Sequence, residues 1–471
     1  MNPEKTTTNS RRQFLQAMTT ASGASLLPSA AAAQADTAGD RINIVYIHSH
    51  DSGRYLQPYG HAAPTPHLQQ LAAEGILFRQ AFSGAPTCSP SRAVLLTGQC
   101  AHQNGMLGLA HRGFALNDYK KHIVHPLRDA GYRSVLAGIQ HVAAKPETIG
   151  YSDIIHPKTT SAVDVAPGAA AFLDSRPAEP FFLDVGFFET HREFHKPTAE
   201  DNPNYIQPPV PIPDTPETRL DMAAFHASAR VLDNGVGQVL DALERNGFAG
   251  NTLVISTTDH GVSFPLMKCN LEDFGWGVSL IVRGPGVLRG GKVSDALVSQ
   301  VDIYPTICEL LHIERPAWLE GKSLLPVLRG EKKEVNEEVF SEVNYHAAYE
   351  PKRAVRTKRW KYIRRYGDRT TPVLPNCDDG LSKALWVENG WKEKQLPKES
   401  LHDLIFDPTE HHNLVSDPTA SQALAEMRGR LDQWMTRTDD PLLRGPVPAP
   451  HGSQINNPDG LSPKETPLRV S

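Results

Sequence analysis

Ile42-Asn43-Ile44-Val45-Tyr46-Ile47 is an apolar run of strand length that leads into His50-Asp51. A run with so little polar alternation reads as a strand covered on both faces, as in a parallel sheet held between layers of helices. The arrangement recurs at Tyr132 to Ala137 before His141, at Phe181 to Phe187 before His191, and at Thr252 to Thr257 before Asp259-His260. Ligands of open α/β sheets bind beyond the carboxyl ends of the strands, so these segments are expected to meet in one crevice.

Helical patterns fill the gaps. Pro66 to Glu74 is amphipathic and closed by Gly75, and Asp221 to Asn246 carries Leu232, Val236, Val239, Leu240 and Leu243 on one face with Gly247 past its end. From Arg353 the texture changes: Ala354 to Thr357 and Trp360 to Ile363 read as paired strands, and a last helix runs from Ser421 to Trp434. The expected fold is therefore α/β: a large domain with a mixed, mostly parallel sheet sandwiched by helices, plus a small C-terminal α+β domain with an antiparallel sheet. The expected bounds are 1–35 for an export signal, 36–345 for the large domain, 346–440 for the small one, and 441–471 for an extended tail rich in Pro and Gly.

Composition narrows the function classes. A chain of 471 residues with 39% hydrophobic side chains can bury a sizeable core. A formal charge of -5 gives no general pull toward nucleic acid or anionic membranes, so neither nucleic acid nor a stable membrane association is expected. Ser10-Arg11-Arg12-Gln13-Phe14-Leu15, the apolar run Ala17 to Leu27 and Ala33-Gln34-Ala35 resemble a twin-arginine signal with its cleavage site, which implies export to a bacterial periplasm or beyond. The apolar run is too short for a membrane span. The five cysteines, Cys88, Cys100, Cys269, Cys308 and Cys377, follow no zinc spacing and form no disulfide scaffold; one disulfide stays open, with its partners unassigned.

Cys88-Ser89-Pro90-Ser91-Arg92, continued by Leu96-Thr97-Gly98, carries the chemistry. Ser89 suits an N-cap, Pro90 the first helical position and Gly98 the closing residue, which places Cys88 just ahead of a helix N-terminus. Free amide N–H groups and the helix dipole favour an anion there, and Arg92, pointing back one turn, adds a permanent cation.

This motif resembles the maturation signature of the formylglycine-dependent (type I) sulfatases of the alkaline-phosphatase-like superfamily. The resemblance implies that a formylglycine-generating maturase, reading Pro90 and Arg92, oxidises Cys88 to an aldehyde. It also implies one divalent metal ion, calcium in the family, held by His50, Asp51, Cys88, Asp259 and His260. His50 stands where the first aspartate is expected, and the imidazoles of His50 and His260 move the preference toward manganese, zinc or iron.

Gly138-Ile139-Gln140-His141 resembles the family's Gly-Lys-x-His, Thr190-His191 its Pro-His, and Lys268-x-Asn270-Leu271 its Lys-x-Thr-Leu. The catalytic set implied is Cys88, Arg92, His141, His191 and Lys268. One hydroxyl of the hydrated aldehyde attacks sulfur, His191 and Lys268 assist the leaving group, and His141 takes a proton as sulfate is expelled. Ile139 departs from the family lysine. Since neutral His50 removes a negative charge and Ile139 a positive one, the two changes cancel in the summed charge of the site. Lys145 is a nearby cation that could substitute.

His102-Gln103-Asn104-Gly105-Met106, Val355-Arg356 and the stretch from Asp407-Pro408 to Asp440-Pro441 resemble the heparan N-sulfatase (sulfamidase) branch. The implied substrate is a sulfated saccharide, cleaved at a sulfate ester or a sulfamate in polysaccharide degradation, with His102 and His346 as substrate-binding residues. Two alternatives stay open: a phosphonate or phosphate diester hydrolase of the same superfamily, and an inactive homologue that binds sulfated glycans.

Overall fold

The structure is a computed structural model that describes residues 42–471; the expected export signal at 1–35 lies outside the described residues. Among the described residues, twelve strands build the two larger sheets. They are β1 (Asn43–Ser49), β2 (Ile76–Phe82), β3 (Arg133–Gly138), β4 (Asp153–Ile155), β5 (Phe181–Gly186), β6 (Thr252–Thr258), β7 (Leu280–Arg283), β8 (Lys292–Ser299), β9 (Val339–Tyr345), β10 (Tyr349–Arg356), β11 (Trp360–Arg365) and β12 (Glu399–Asp403). The first eight form one sheet in the order β4-β3-β5-β1-β6-β7-β2-β8, in which β7 runs antiparallel to both neighbours and every other pair is parallel.

The expected sandwich is present, and the alternation along β1 shows why. Val45 and Ile47 join one buried cluster, under the helices Pro66–Glu74, Ala162–Asp174 and Pro216–Arg245, whereas Ile44 and Tyr46 join another on the opposite face with the helices Cys88–Thr97 and Ile303–Leu310. Burying each such side chain contributes about 1.5–3 kcal/mol, so a strand covered on both faces tolerates almost no polar residue. The helix Pro66–Glu74 and its Gly75 terminus fall where the pattern places them. The long helix begins earlier than expected, at Pro216, because Thr215 and Thr218 form a capping box ahead of the apolar stripe.

The helix bearing the Cys88 motif differs in one respect from its sequence reading. It spans Cys88–Thr97, so Cys88 is its first residue, Thr87 is the N-cap without a side-chain cap bond, and Ser89 does not cap. Ser89 Oγ instead accepts from the Ala110 N–H at 3.0 Å. Gly98 closes the helix with φ 66°, as expected of a left-handed C-cap. Every residue of this helix is buried, so the sheet and its neighbours hold it rigidly.

The second sheet is antiparallel, in the order β12-β11-β10-β9, with the helix Ser421–Arg437 packed on β10 and β11. It starts at Val339, so the expected boundary at 345/346 falls inside it, after β9. Both sheets belong to one compact unit, Arg41–Ser471. The 441–471 segment has little regular structure yet is fastened to the body. The Tyr345 hydroxyl donates to the Val447 carbonyl at 2.7 Å, and Arg112 donates to Asn456 Oδ1 at 2.5 Å and to the Pro463 carbonyl at 3.1 Å. All five cysteines are free thiols, and among the described residues no helix is long and apolar enough to cross a membrane.

Candidate active site

The carboxyl ends of β1, β3, β5 and β6 lie at one level, because His48 is in register with Gly186 and Thr257, and Gly186 with Gly138. The chain turns sharply just past two of them. Asp51 and His141 adopt φ of 53° and 57°, a left-handed conformation that residues with a Cβ hold only under constraint from their surroundings.

Here His50, Asp51, Cys88 and Asp259 bring one ligand-type atom each to within 4.8 Å of one another. The Cys88 sulfur lies 3.3 Å from His260 Nε2, which in turn is 3.4 Å from Asp51 Oδ1. His50 Nδ1 is 3.3 Å from Asp259 Oδ2. The backbone N–H groups of Asp51 and His260 donate to Asp259 Oδ1 at 2.9 and 3.0 Å, which fixes that carboxylate. Arg92, one turn beyond Cys88, donates to Asp259 Oδ2 at 2.9 Å and to the Ser49 carbonyl at 2.8 Å, and it also meets His48 Nδ1. His48 Nε2 lies 2.9 Å from Asp184 Oδ1, so the guanidinium is backed by a buried chain of polar groups.

A second cation enters from the other side. Lys268 Nζ donates to Asp51 Oδ2 at 2.9 Å and to Asp378 Oδ2 at 2.7 Å, and it lies 3.2 Å from His191 Nε2. The Nδ1 of His191 is 2.5 Å from the Arg192 carbonyl, which assigns the ring proton to Nδ1 and leaves Nε2 as an acceptor. His141 Nε2 lies 2.9 Å from His111 Nδ1, with the rings stacked at 5.2 Å.

Burial, aided by Arg92 and the neighbouring imidazoles, holds the His50 ring well below the usual histidine range, and burial with His111 and Arg92 does the same to His141. Both rings are neutral at physiological pH, the form able to bind a metal or accept a proton. Burial pushes the Cys88 thiol well up, with Lys268 offsetting only part of the shift. An unmodified Cys88 is then a protonated thiol and a poor nucleophile. Burial also pushes Asp259 upward, but His260 and Arg92 outweigh it and hold the carboxyl below its ordinary value. Lys268 stays charged because Asp378 and Asp51 overcome its desolvation.

Both ring nitrogens of His50, Oδ1 of Asp51 and Nδ1 of His141 are buried with no hydrogen-bond partner. Orphaned buried polar atoms are costly, and these gather around the cluster of His50, Asp51, Cys88 and Asp259. Two carboxylates, the His50 imidazole and the residue 88 side chain make a donor set that fits a divalent cation.

The tertiary structure thus collects His50, Asp51, Cys88, Arg92, His141, His191, Asp259, His260 and Lys268 at one place. His346 is buried beside them: burial and the charge of Lys268 depress its imidazole, and Asp378 and His260 also act on it. His102 is not brought to the cluster. Its side chain is 1% exposed and is held by Glu342, so, against the expected substrate-binding role, it offers no face to a saccharide. Lys145 is exposed, and the cations that reach the cluster are Arg92 and Lys268.

Two participants were not anticipated. Asp378 comes from an irregular stretch beyond β11, where no periodic pattern marks it. His111 lies in the 3-10 turn Ala110–Arg112, and only its packing on His141 reveals it.

The doubly covered, mostly parallel sheet has the alkaline-phosphatase-like fold, which it shares with solved sulfatase structures. Comparison narrows this further. The profile described as Sulfatase matches residues 42–313, and that described as N-sulphoglucosamine sulphohydrolase, C-terminal, matches residues 270–376. The human N-sulphoglucosamine sulphohydrolase is 32% identical over 466 residues, covering 86% of this chain and 92% of its own. An ulvan-active sulfatase of Formosa agariphila is 30% identical over 445 residues, covering 91% and 87%. A solved structure of a protein in complex with its substrate D-glucosamine-2-N,6-O-disulfate shares the fold, with a TM-score of 0.66 at 18% identity over 85% of this chain and 98% of that one. The chain belongs to the sulfatase family and is a hydrolase.

Proposed function

We propose that this sulfatase removes sulfate from a sulfated saccharide, at a sulfamate or a sulfate ester, with residue 88 as the nucleophilic position. The observation that carries this reading is the meeting of Cys88, His260, Asp51 and Asp259 within hydrogen-bonding or near-bonding distance at the start of a helix, flanked by Arg92 and Lys268. The human relative's name and the sulfated glucosamine bound by the structural neighbour support an amino sugar among the candidate substrates.

In this reading a maturase converts the Cys88 thiol to formylglycine, whose hydrate supplies the attacking oxygen. Residues His50, Asp51, Asp259 and His260, with residue 88, would hold one divalent cation, which supplies charge neutralisation for the sulfuryl oxygens when bound. Arg92 keeps Asp259 ionised and oriented. Lys268, which lies 3.2 Å from the acceptor Nε2 of His191, would give the departing oxygen or nitrogen its proton, with His191 beside it. Neutral His141, with its unpartnered Nδ1, accepts a proton and passes charge toward exposed His111. Calcium is the ion the family implies, and the imidazoles of His50 and His260 make manganese or zinc the alternatives. The twin-arginine-like leader supports export to the periplasm, and residues 346–440 together with β9 form the small α+β portion.

Mass analysis of the tryptic peptide Gln80 to Arg92 from protein made in its own host tests the reading. It is expected to show oxygen in place of sulfur with two hydrogens lost; an intact thiol there would leave a glycan-binding role instead. Turnover of an aryl sulfate against an aryl phosphonate then separates sulfur from phosphorus chemistry, with preference for sulfur expected.

A further inference from the structure

Strands β1 and β5 are apolar over most of their length, yet each sends one polar side chain into the same layer. Asp184 is in register with Tyr46, and His48 follows Tyr46 by two positions, so the three share a face. The side chains of His48 and Asp184 are 2% and 1% exposed. Polar groups buried to this degree are costly unless each finds a partner. The sheet also makes room for the ring: position 186 is a glycine, and a Cβ there would stand 2.5 Å from His48 Cε1.

The direction of every bond follows from Arg92. A guanidinium has donors only and keeps its charge, and Arg92 Nη1 meets His48 Nδ1. Nδ1 is therefore the lone-pair nitrogen. The ring hydrogen then sits on Nε2, 2.9 Å from Asp184 Oδ1. The other carboxylate oxygen, Oδ2, accepts from the Tyr151 hydroxyl at 2.5 Å. Arg92 thus donates to His48 and His48 to Asp184, while Tyr151 holds the carboxylate from just ahead of β4.

On its other side Arg92 is equally committed. Nη2 donates to the Ser49 carbonyl at 2.8 Å and to Asp259 Oδ2 at 2.9 Å. With both terminal nitrogens tied, the plane of the guanidinium is fixed. Nε is buried with no partner, so it remains as a donor for an oxyanion.

We propose that Asp184, acting through His48, is a positioning residue for Arg92. It selects the imidazole tautomer that accepts from the guanidinium, and so holds Arg92 against Asp259 with Nε free for a sulfuryl oxygen. The part played by the sulfuryl oxygen rests on the proposed sulfatase reaction; the ring tautomer does not.

Two measurements on the full chain test this. Asp184→Leu with Tyr151→Phe removes the acceptor for Nε2 without stranding the hydroxyl. Its turnover of an aryl sulfate is compared in the native chain and in His48→Asn, whose side-chain carbonyl accepts from Arg92 whatever stands at position 184. The expected loss in kcat is about 10- to 100-fold with native His48, with KM changed less, and under about threefold in the His48→Asn chain. An equal loss in both, or no loss with native His48, overturns the proposal. The second measurement needs neither turnover nor a folded Asp184 variant. In the nitrogen NMR spectrum of the native chain labelled with [15N]histidine, the His48 ring, assigned by its absence in His48→Asn, is expected as the Nε2–H tautomer. Hydrogen on Nδ1 overturns the proposal, whereas a native chain with that tautomer and no sulfate turnover overturns the sulfatase reaction alone.

Discussion

Lys268 Nζ donates to Asp378 Oδ2 at 2.7 Å, so a carboxylate from the stretch beyond β11 restrains the cation that also faces Asp51. Asp378→Asn keeps an acceptor near the ammonium and removes the charge. In steady-state kinetics kcat is expected to fall about 10- to 100-fold with KM changed less. The loss should be larger on an N-sulfated sugar, which has a poor leaving group, than on an activated aryl sulfate. A change confined to KM would limit Asp378 to substrate binding.

His50 and Ile139 test charge compensation. His50→Asp adds a negative charge to a cluster that already holds Asp51 and Asp259, and Ile139→Lys adds a positive one nearby. Activity reconstituted with Ca2+, Mn2+ and Zn2+ should shift toward Ca2+ in His50→Asp, because a carboxylate replaces an imidazole. Each single variant is expected to lose at least about tenfold in kcat/KM and the double variant to recover part of it, a coupling of roughly 1 kcal/mol or more. Additive losses would show that the two positions vary independently.

Gly186 is required by a close approach between strand ends. A Cβ there would meet the Ile139 carbonyl oxygen at 1.8 Å and His48 Cε1 at 2.5 Å, and neither is the free end of a flexible side chain. Gly186→Ala is expected to cost about 2–4 kcal/mol in urea unfolding and to abolish activity by displacing the turn to His141. Gly429, in the helix Ser421–Arg437, provides the contrast, since a Cβ added there would meet nothing within 4 Å. Gly429→Ala should gain up to about 1 kcal/mol in the same unfolding measurement.

Asp302 sets a pH dependence away from the active site. Burial pushes its carboxyl up from 3.8 to about 6, despite bonds from the Ser299 and Lys322 N–H groups and Asn336. The folded value exceeds the unfolded one, so its contribution to stability is complete below the unfolded value and declines as pH rises through the folded one. Relative to Asp302→Asn, the wild type should therefore lose stability from about pH 4 to about pH 6. Denaturant unfolding at several pH values measures the difference, and a flat difference would refute the shift.

How much could be read beforehand depended on whether the signal was local. The strands before His50, His141, His191 and Asp259 were legible because burial on both faces forces a continuous apolar run, and the helix ending at Gly98 was legible because termination in a left-handed residue favours glycine. The capping rule misplaces the start of that helix: Ser89 is spent on Ala110, a contact no local rule contains.

By itself the sequence determined the sheet, the order in which its strand ends deliver side chains, and the residue types of the Cys88 cluster, since each follows from periodicity or a short contiguous motif. Only the tertiary structure decided that Asp378 and His111 join the site while His102 does not. Those assignments rest on pairs such as Lys268 with Asp378 and His102 with Glu342, which are 110 and 240 positions apart. The energies that select such pairs arise from burial and charge in the folded interior, where no spacing along the chain records them.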